Sequence, residues 1–212
     1  MNIILLGSPG VGKGTYATLL AKKYKIPHIS TGDIFREAVK EKSELGIKVK
    51  EFLDRGELVP DDITILVIKE RLKKNDVNVG FLLDGFPRTI TQAEALENFK
   101  KIDKVLNFVA PEKTIMDRLS GRRICKKCGA IYHLINIKPK VEGICDKCSG
   151  ELYQRSDEKP NVIKKRLKEY NKKTKPLIDY YKKKGLLANI NANFSIGEVD
   201  KIISQCEIAL KK

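Results

Sequence analysis

The sequence predicts an α/β fold in which helices flank a five-stranded parallel sheet and one small insert interrupts the pattern. Three observations predict it. Apolar segments typical of strands alternate with segments of helical periodicity along the 212 residues, and this alternation is typical of parallel sheets with helices on both faces. A glycine-rich segment directly follows the first strand. Four of the five cysteines lie in one segment that breaks the alternation.

Each element is predicted from local signals. Thr31 is expected to cap a helix N-terminus, Thr89 is expected to start another helix, and Gly56 is expected to end a helix. The predicted strands are 2–6, 26–30, 80–84, 104–109 and 186–190. The predicted helices are 13–24, 32–40, 44–55, 63–74, 89–100, 112–122, 161–184 and 197–210. Residues 122–158 are predicted to form an irregular insert.

The segment GSPGVGKGT, residues 7–15, has the spacing of a phosphate-binding P-loop between a strand and a helix. Its glycines allow the backbone to approach a ligand closely, and the helix N-terminus favours anions. Lys13 adds a mobile positive charge. A plain tight turn would not need four glycines and a lysine. Gly14 stands where a serine or threonine usually contacts Mg²⁺, so we expect the metal to be held mainly through water, nucleotide and a distant carboxylate.

The chain carries a formal net charge of +15, and 33 of its 42 basic residues are lysines. Nucleic acid, acidic small molecules or a solvated lysine-rich surface could each account for this charge. The nine arginines are more informative because they are scarce, and only the guanidinium fork grips phosphate oxygens in a bidentate way. No apolar stretch approaches 18 residues and no basic leader precedes the first strand, so we expect a cytoplasmic protein.

The cysteine pattern of the insert is typical of a structural metal site. Cys125 and Cys128 form one C-x-x-C pair, and Cys145 and Cys148 form the second after 16 residues. Four thiolates leave no open coordination position, so the metal is expected to hold structure. Zinc is favoured over iron, and disulfides fit poorly with an intracellular chain. Cys206 falls on an apolar helix stripe and is predicted to be a core residue. His28 and His133 are interpreted as structural or surface residues.

Several motifs occur together in a fixed order: the P-loop, STGDIFRE, LLDGFPRT, GRR, the four cysteines and QRSDE. In this combination the chain resembles the adenylate kinases, in their long bacterial-type form with a zinc-binding lid. The resemblance covers essentially the whole chain. It implies the P-loop nucleoside-monophosphate kinase fold, with a core of residues 1–29, 60–121 and 159–212, an AMP-binding helical domain of residues 30–59 and a zinc-ribbon lid of residues 122–158. It also implies a cis peptide before Pro87.

The resemblance implies reversible, Mg²⁺-dependent transfer of the terminal phosphoryl group of ATP to AMP. The implied ATP contacts are Gly10, Val11, Gly12, Lys13, Gly14, Thr15, Arg118, Arg122 and Tyr132. The implied AMP contacts are Thr31, Arg36, Glu57, Val59, Gly85, Arg88, Gln92, Arg155 and Arg166. The implied catalytic residues are Lys13, Asp84, Arg88, Arg122, Arg155 and Arg166, with Asp84 orienting water on Mg²⁺. A structural Zn²⁺ is implied on Cys125, Cys128, Cys145 and Cys148.

Some positions depart from the family pattern. Tyr16 stands where glutamine is usual, Glu158 where a second aspartate is usual, and Pro160-Asn161 replaces an acidic pair. The segment INANF, residues 190–194, lacks the glycine usual near the donor base. These departures bear on lid motion and donor affinity more than on the type of reaction.

Other functions remain open at the level of sequence. One is a kinase for another nucleoside monophosphate, although Thr31 argues against a pyrimidine acceptor. Another is an ATP-dependent nucleic-acid-binding protein, although aromatic residues make up only 7% of the chain and are scattered. A nucleotide sensor without turnover would not need so many arginines. We therefore expect ATP, AMP and ADP as partners, no nucleic acid or membrane partner, and a monomer.

Overall fold

The computed structural model describes residues 1–211, the side chain of residue 196 excepted. The strands are β1 (Asn2–Leu6), β2 (His28–Ser30), β3 (Phe81–Asp84), β4 (Lys104–Val109), β5 (Arg122–Cys125), β6 (Ile131–His133), β7 (Leu152–Tyr153) and β8 (Leu187–Asn191). The α-helices are α1 (Lys13–Tyr24), α2 (Thr31–Lys40), α3 (Glu44–Arg55), α4 (Asp61–Arg71), α5 (Ile90–Glu97), α6 (Glu112–Ser120), α7 (Pro160–Glu169), α8 (Pro176–Lys183) and α9 (Val199–Lys211). No helix within residues 1–211 is both long enough and apolar enough to cross a bilayer.

The predicted five-stranded parallel sheet is confirmed, with strand order β2-β3-β1-β4-β8. β1 lies at its centre and pairs Leu5 with Asp84 of β3 and Leu6 with Asn107 of β4. Because all five strands run the same way, their carboxyl ends meet at one edge of the sheet. In sheets of this kind ligands bind at that edge.

Alternate residues of β1 enter two separate cores, one on each face of the sheet. Ile4 and Leu6 face a core shared with α4, α5 and α8, while Ile3 and Leu5 face a core shared with α1 and α9. The second core includes Cys206, whose predicted core position is confirmed because it is fully buried.

Two smaller units carry hydrophobic clusters of their own. α2 and α3 pack together around Phe35 and Val49, and Val59 joins this cluster. The insert contains a three-stranded antiparallel sheet of order β6-β5-β7, which the sequence patterning did not predict. Its small cluster is built from Cys125, Tyr132 and Cys145.

Two details of the predicted helices were wrong. Ser30, rather than Thr31, caps α2, because its Oγ accepts a hydrogen bond from the Asp33 amide at 3.2 Å. The single helix predicted over 161–184 is instead α7 and α8 joined by a π-helical turn, Tyr170–Thr174. In that turn the Lys175 amide donates to the Tyr170 carbonyl at 2.9 Å. Pro176 follows at once and has no N–H to continue an α-helical ladder. The peptide bond between Phe86 and Pro87 is cis, as predicted.

The contact between α2 and α3 depends on the absence of a side chain at Gly46. A Cβ there would overlap the Ala38 carbonyl group. We expect Gly46→Ala to lower the free energy of unfolding by about 2 kcal/mol, because backbone cannot move aside as a side chain can. Chemical denaturation measures the change. Gly197→Ala is the matched control, since a Cβ there would meet no described atom within 4 Å. Equal stability of the two variants would contradict the close contact.

Candidate functional site

One large cavity, of about 1030 Å³, lies at the carboxyl edge of the main sheet. Leu6, Ser30 and Asp84, which end three neighbouring strands, all line it. Its other walls come from α2, from the segment after α3, from the insert and from α7. Residues distant in sequence therefore meet around one space.

The P-loop forms the floor of this cavity. Gly7, Gly10 and Gly12 have φ angles of +136°, +83° and +108°, which residues with a Cβ rarely adopt. The Lys13 ammonium is folded back onto the loop and donates to the carbonyls of Gly7 at 2.6 Å and Ser8 at 3.0 Å. Burial lowers the pKa of Lys13 to about 8, although the nearby Asp84 carboxylate opposes this change. A polyphosphate would offer this ammonium better acceptors than the backbone does.

Asp84 ends β3 beside the P-loop, where its charge acts on Lys13. Burial by itself would raise the pKa of Asp84, but contact with His28 and the charge of Lys13 hold that pKa below its usual value. The distance between His28 Nε2 and Asp84 Oδ2 is 3.6 Å. An ionised, partly buried carboxylate suits a hydrated divalent cation. His28, interpreted from sequence as structural, therefore lies at the site, and no local sequence signal marked it.

Arg88 is held from three directions. Its Nε donates to the Gly85 carbonyl at 2.9 Å, and its amide donates to Gln92 Oε1 at 2.7 Å. Its own carbonyl accepts from the hydroxyl of Thr174, in the π-helical turn, at 2.9 Å. Burial and then the charge of Arg166 lower the pKa of Arg88 to about 10. Thr174 was missed because only the π turn, which has no simple sequence signal, brings it beneath Arg88.

The predicted AMP residues of α2 and its neighbourhood also line the cavity. Thr31 donates its hydroxyl to the Gly85 carbonyl at 2.9 Å, and Arg36 pairs with Asp33. Val59 is buried, and Glu57 accepts from the ammonium of Lys165 at 2.6 Å. The last contact joins the segment after α3 to α7.

The arginines that flank the insert converge on the same space. Arg122 forms a forked ion pair with Glu158, with its Nε at 2.8 Å from Oε1, and Glu158 is fully buried. Arg166 donates to the Asp157 carbonyl at 3.0 Å. Burial, Arg36 and Arg122 lower the pKa of Arg155 to about 10. Burial also lowers the pKa of Arg166, against the opposing charge of Asp157.

Arg118 bridges two loops on the other side of the cavity. Its guanidinium donates to the carbonyls of Val11 at 2.9 Å, Ala192 at 3.0 Å and Phe194 at 2.8 Å. The unusual Tyr16 stacks on Phe108 with ring centroids 5.0 Å apart and packs against Gly12. Tyr16 thus supports the P-loop, which gives this departure from the family pattern a structural role.

The three remaining arginines lie away from the cavity lining. Arg71 pairs with Asp76 at 2.6 Å, Arg55 pairs with Glu51, and Arg123 donates to the Arg122 carbonyl at 2.7 Å. These contacts make them surface or supporting residues.

The four insert cysteines form a compact cluster. All four Sγ atoms lie within 4.8 Å of one another, with Cys125–Cys148 at 3.4 Å and Cys128–Cys145 at 3.6 Å. These distances are far longer than a disulfide bond of about 2.05 Å. They are close to the spacing of about 3.8 Å that four sulfurs at 2.3 Å from one tetrahedral ion would have. The cluster therefore fits a structural zinc site.

Two side chains of β6 support the insert. The hydroxyl of Tyr132 accepts from the Asp146 amide at 2.7 Å and lies 3.5 Å from Cys145 Sγ. Tyr132 therefore supports the second cysteine pair, and it also lines the cavity. His133 is buried, and its Nε2 lies 3.0 Å from the Asp117 carbonyl oxygen in α6. Its Nδ1 accepts from the Ile135 amide at 3.1 Å, so Nε2 must carry the proton.

Comparison with known proteins identifies the family. The family model described as adenylate kinase matches residues 5–186. The chain belongs to the adenylate kinase family. It is 57% identical to the adenylate kinase of Caldicellulosiruptor bescii, over 95% of this chain and 96% of that protein. It is 54% identical to the adenylate kinase of Staphylococcus aureus strain Mu50 and 55% identical to that of Caldicellulosiruptor saccharolyticus, over the same shares. The predicted adenylate kinase function and phosphotransferase class are confirmed by these relationships.

Removal of the metal should lower the stability of this adenylate kinase. We expect chelation, or Cys148→Ser, to release one zinc ion per chain and to lower the melting temperature by roughly 6–12 °C, corresponding to about 3 kcal/mol. Metal analysis and calorimetry measure both effects. Cys206→Ala, which changes a cysteine outside the cluster, should keep its metal. Retention of zinc by Cys148→Ser would contradict the four-thiolate site.

Proposed function

We propose that this adenylate kinase binds ATP and AMP together in the cavity described above and transfers the terminal phosphoryl group between them, with two ADP as products. One observation carries the assignment to this cavity. Lys13 of the P-loop and the partly buried side chains of Arg88, Arg122, Arg155 and Arg166 all line it. Clustered cations at the edge of a parallel sheet suit two phosphate chains that meet end to end.

On the donor side, the P-loop would hold the ATP phosphates. Backbone N–H groups of Gly10, Val11, Gly12, Gly14 and Thr15, in the loop and the first turn of α1, would contact the phosphates. Those of Val11 and Thr15 also donate to the carbonyls of Ser8 at 3.3 Å and Gly12 at 3.0 Å. Lys13 would leave its two backbone acceptors and follow the terminal phosphates. Arg118, Tyr132 and the Asn193–Phe194 loop all line the cavity, and Arg118 donates to the Phe194 carbonyl at 2.8 Å, which supports a donor-base site beside that loop.

On the acceptor side, Arg36 and Arg88 would grip the AMP phosphate. Thr31, Gly85 and Gln92 line the cavity beside them and would contact the base, with Glu57 and Val59 along the outer wall. Arg155 and Arg166 lie between the two sides and would contact both nucleotides. This arrangement would place the reacting oxygens in line, which supplies much of the rate acceleration in phosphoryl transfer.

Mg²⁺ bound with ATP would supply positive charge that neutralises the phosphates. The residue suited to hold it is Asp84, through water, because Gly14 leaves no hydroxyl directly after Lys13. The carboxylate is ionised and lies at the end of β3 beside the P-loop. The four cysteines would hold Zn²⁺ and leave it no open coordination position. That ion would therefore stiffen the insert and take no part in transfer.

The insert is proposed to act as a lid over the donor side. Contacts between it and the α2–α3 region support closure over the cavity: Ser156 donates to Asp54 at 2.9 Å, and Arg155 lies 3.9 Å from Asp33. Closure excludes water, so that AMP rather than water accepts the phosphoryl group. All the proposed contacts come from one chain, which supports a monomer, and the free thiols suit a reducing cytoplasm.

The decisive experiment supplies only ADP and Mg²⁺ to the purified protein. We expect ATP and AMP to form in equal amounts, because the reaction is reversible. Nucleotide chromatography measures both products. A second assay supplies ATP with AMP, UMP or CMP as the acceptor and tests whether the protein is a kinase for another nucleoside monophosphate. We expect much slower transfer to UMP and CMP than to AMP. Absence of the paired products would contradict the proposed reaction.

Arg88→Lys tests the proposed phosphate fork. Lysine keeps the charge but loses the planar pair of donors and the bond to Gly85, so we expect kcat/KM for AMP to fall by about 100-fold or more. Steady-state kinetics measure this, and circular dichroism checks the fold. Arg71→Lys is the matched control, because Arg71 pairs with Asp76 outside the cavity lining. Similar losses in both variants would contradict a specific role for Arg88.

A further inference from the structure

We propose that Asp61 is a positioning residue that orients the side-chain amide of Gln92 and thereby makes the acceptor site selective for adenine over hypoxanthine and guanine. This inference rests on the proposed contact between Gln92 and the AMP base. Asp61 is the first residue of α4, and it is absent from the described cavity lining, whereas Gln92 lines the cavity and is 1% exposed. Asp61 therefore acts on a ligand only through its neighbour.

The two ends of the Gln92 amide face partners of opposite character. Its Nε2 donates to Asp61 Oδ1 at 2.7 Å, and its Oε1 accepts from the Arg88 amide at 2.7 Å. A carboxylate can only accept and a backbone N–H can only donate. If the amide turned over, its oxygen would face the Asp61 carboxylate and its NH₂ group would face the Arg88 N–H. Both hydrogen bonds would become repulsive, so only one orientation is allowed.

This orientation leaves a defined hydrogen-bonding pattern for a ligand. The amide has two N–H donors and two lone pairs on its oxygen. Asp61 uses one donor and Arg88 uses one lone pair. One donor and one acceptor remain side by side. Adenine presents the complement, a 6-amino donor beside the N1 acceptor, as in the paired contacts that amide side chains make with adenine. Hypoxanthine and guanine present a 6-oxo acceptor beside an N1–H donor, which is the reverse pattern.

The same carboxylate also fixes the backbone that carries Gln92. Asp61 Oδ2 accepts from the Thr89 hydroxyl at 2.8 Å, and that hydroxyl oxygen accepts from the Gln92 amide N–H at 3.2 Å, which caps α5. Asp61 therefore holds the start of α5 and the end of the Gln92 side chain together. The carboxylate that accepts from the Gln92 side chain is therefore held in place relative to the start of α5.

The test compares AMP with inosine monophosphate as acceptors, with ATP and Mg²⁺ held constant. We expect Asp61→Ala to lower the ratio of kcat/KM for AMP to that for inosine monophosphate by about 10-fold, mostly through KM for the acceptor, because a hydrogen bond to a charged group is lost. Because both values come from one preparation, the ratio is unaffected by any inactive fraction. A role in folding alone would lower both values equally and leave the ratio unchanged.

Two further variants make the result specific. Asp61→Asn keeps the size of the side chain, but its amide can donate as well as accept, so Gln92 is free to turn over and the ratio should fall as it does in Asp61→Ala. Asp62→Ala removes the neighbouring carboxylate at the same helix terminus, and because Asp62 is exposed the ratio should not change. A loss of selectivity in Asp62→Ala equal to that in Asp61→Ala would show a general charge effect and overturn the proposal.

Gln92→Leu distinguishes failure of this inference from failure of the proposed function. If Gln92→Leu lowers the ratio while Asp61→Ala does not, Gln92 contacts the base but Asp61 does not orient it, and the inference is wrong. If Gln92→Leu also leaves the ratio unchanged, the proposed contact between Gln92 and the AMP base is itself wrong. If both variants lower the ratio by a similar factor and Asp61→Asn lowers it as well, the proposal holds, whereas full selectivity in Asp61→Asn would contradict it.

Discussion

The structure depends on the concentration of positive charge inside one cavity. Lys13, Arg88, Arg155 and Arg166 all have lowered pKa values, and burial is the largest cause each time. Neighbouring guanidinium groups add repulsion in every case, so the ligand-free cluster is unfavourable to the fold. A polyphosphate chain removes that repulsion. The repulsion that destabilises the ligand-free protein is thus relieved when phosphates bind, and this relief favours binding of the negative charge that phosphoryl transfer brings together.

Carboxylates reduce the repulsion within this cluster of cations without neutralising its charge. Asp84 lies beside Lys13, Glu158 pairs with Arg122, and Asp157 pairs with Arg166. Glu158 is fully buried, and its Oε2 has no hydrogen-bond partner among the described residues. Removing one member of a buried ion pair would leave the other charge without a partner in the protein interior, which would destabilise the fold. We therefore infer that the longer side chain at Glu158 is matched to the position of Arg122.

Rigid supports behind the cavity hold the charged groups against their mutual repulsion. Thr174 fixes the backbone of Arg88 through the π-helical turn, and Asp61 fixes Gln92 from behind the cavity wall. In the insert, the four-cysteine cluster holds the two C-x-x-C segments together, and His133 joins the insert to α6. None of these supports needs to touch a nucleotide. They act by keeping donors in place before a ligand arrives, which is the source of electrostatic preorganisation.

Sequence alone determined what depends on neighbours along the chain. The alternation of strands and helices, the P-loop after β1, the C-x-x-C pairs and the family motifs are all local patterns, and from them the fold and the family were predicted correctly. The boundaries of α7 and α8, the cap of α2 and the strands of the insert were not. Tertiary structure decided the boundaries of α7 and α8 and the strands of the insert, and with them the contacts of His28, Thr174 and Asp61 with Asp84, Arg88 and Gln92. Each such contact joins residues 31 to 86 positions apart in the chain, so it depends on strand register and helix packing rather than on any local pattern.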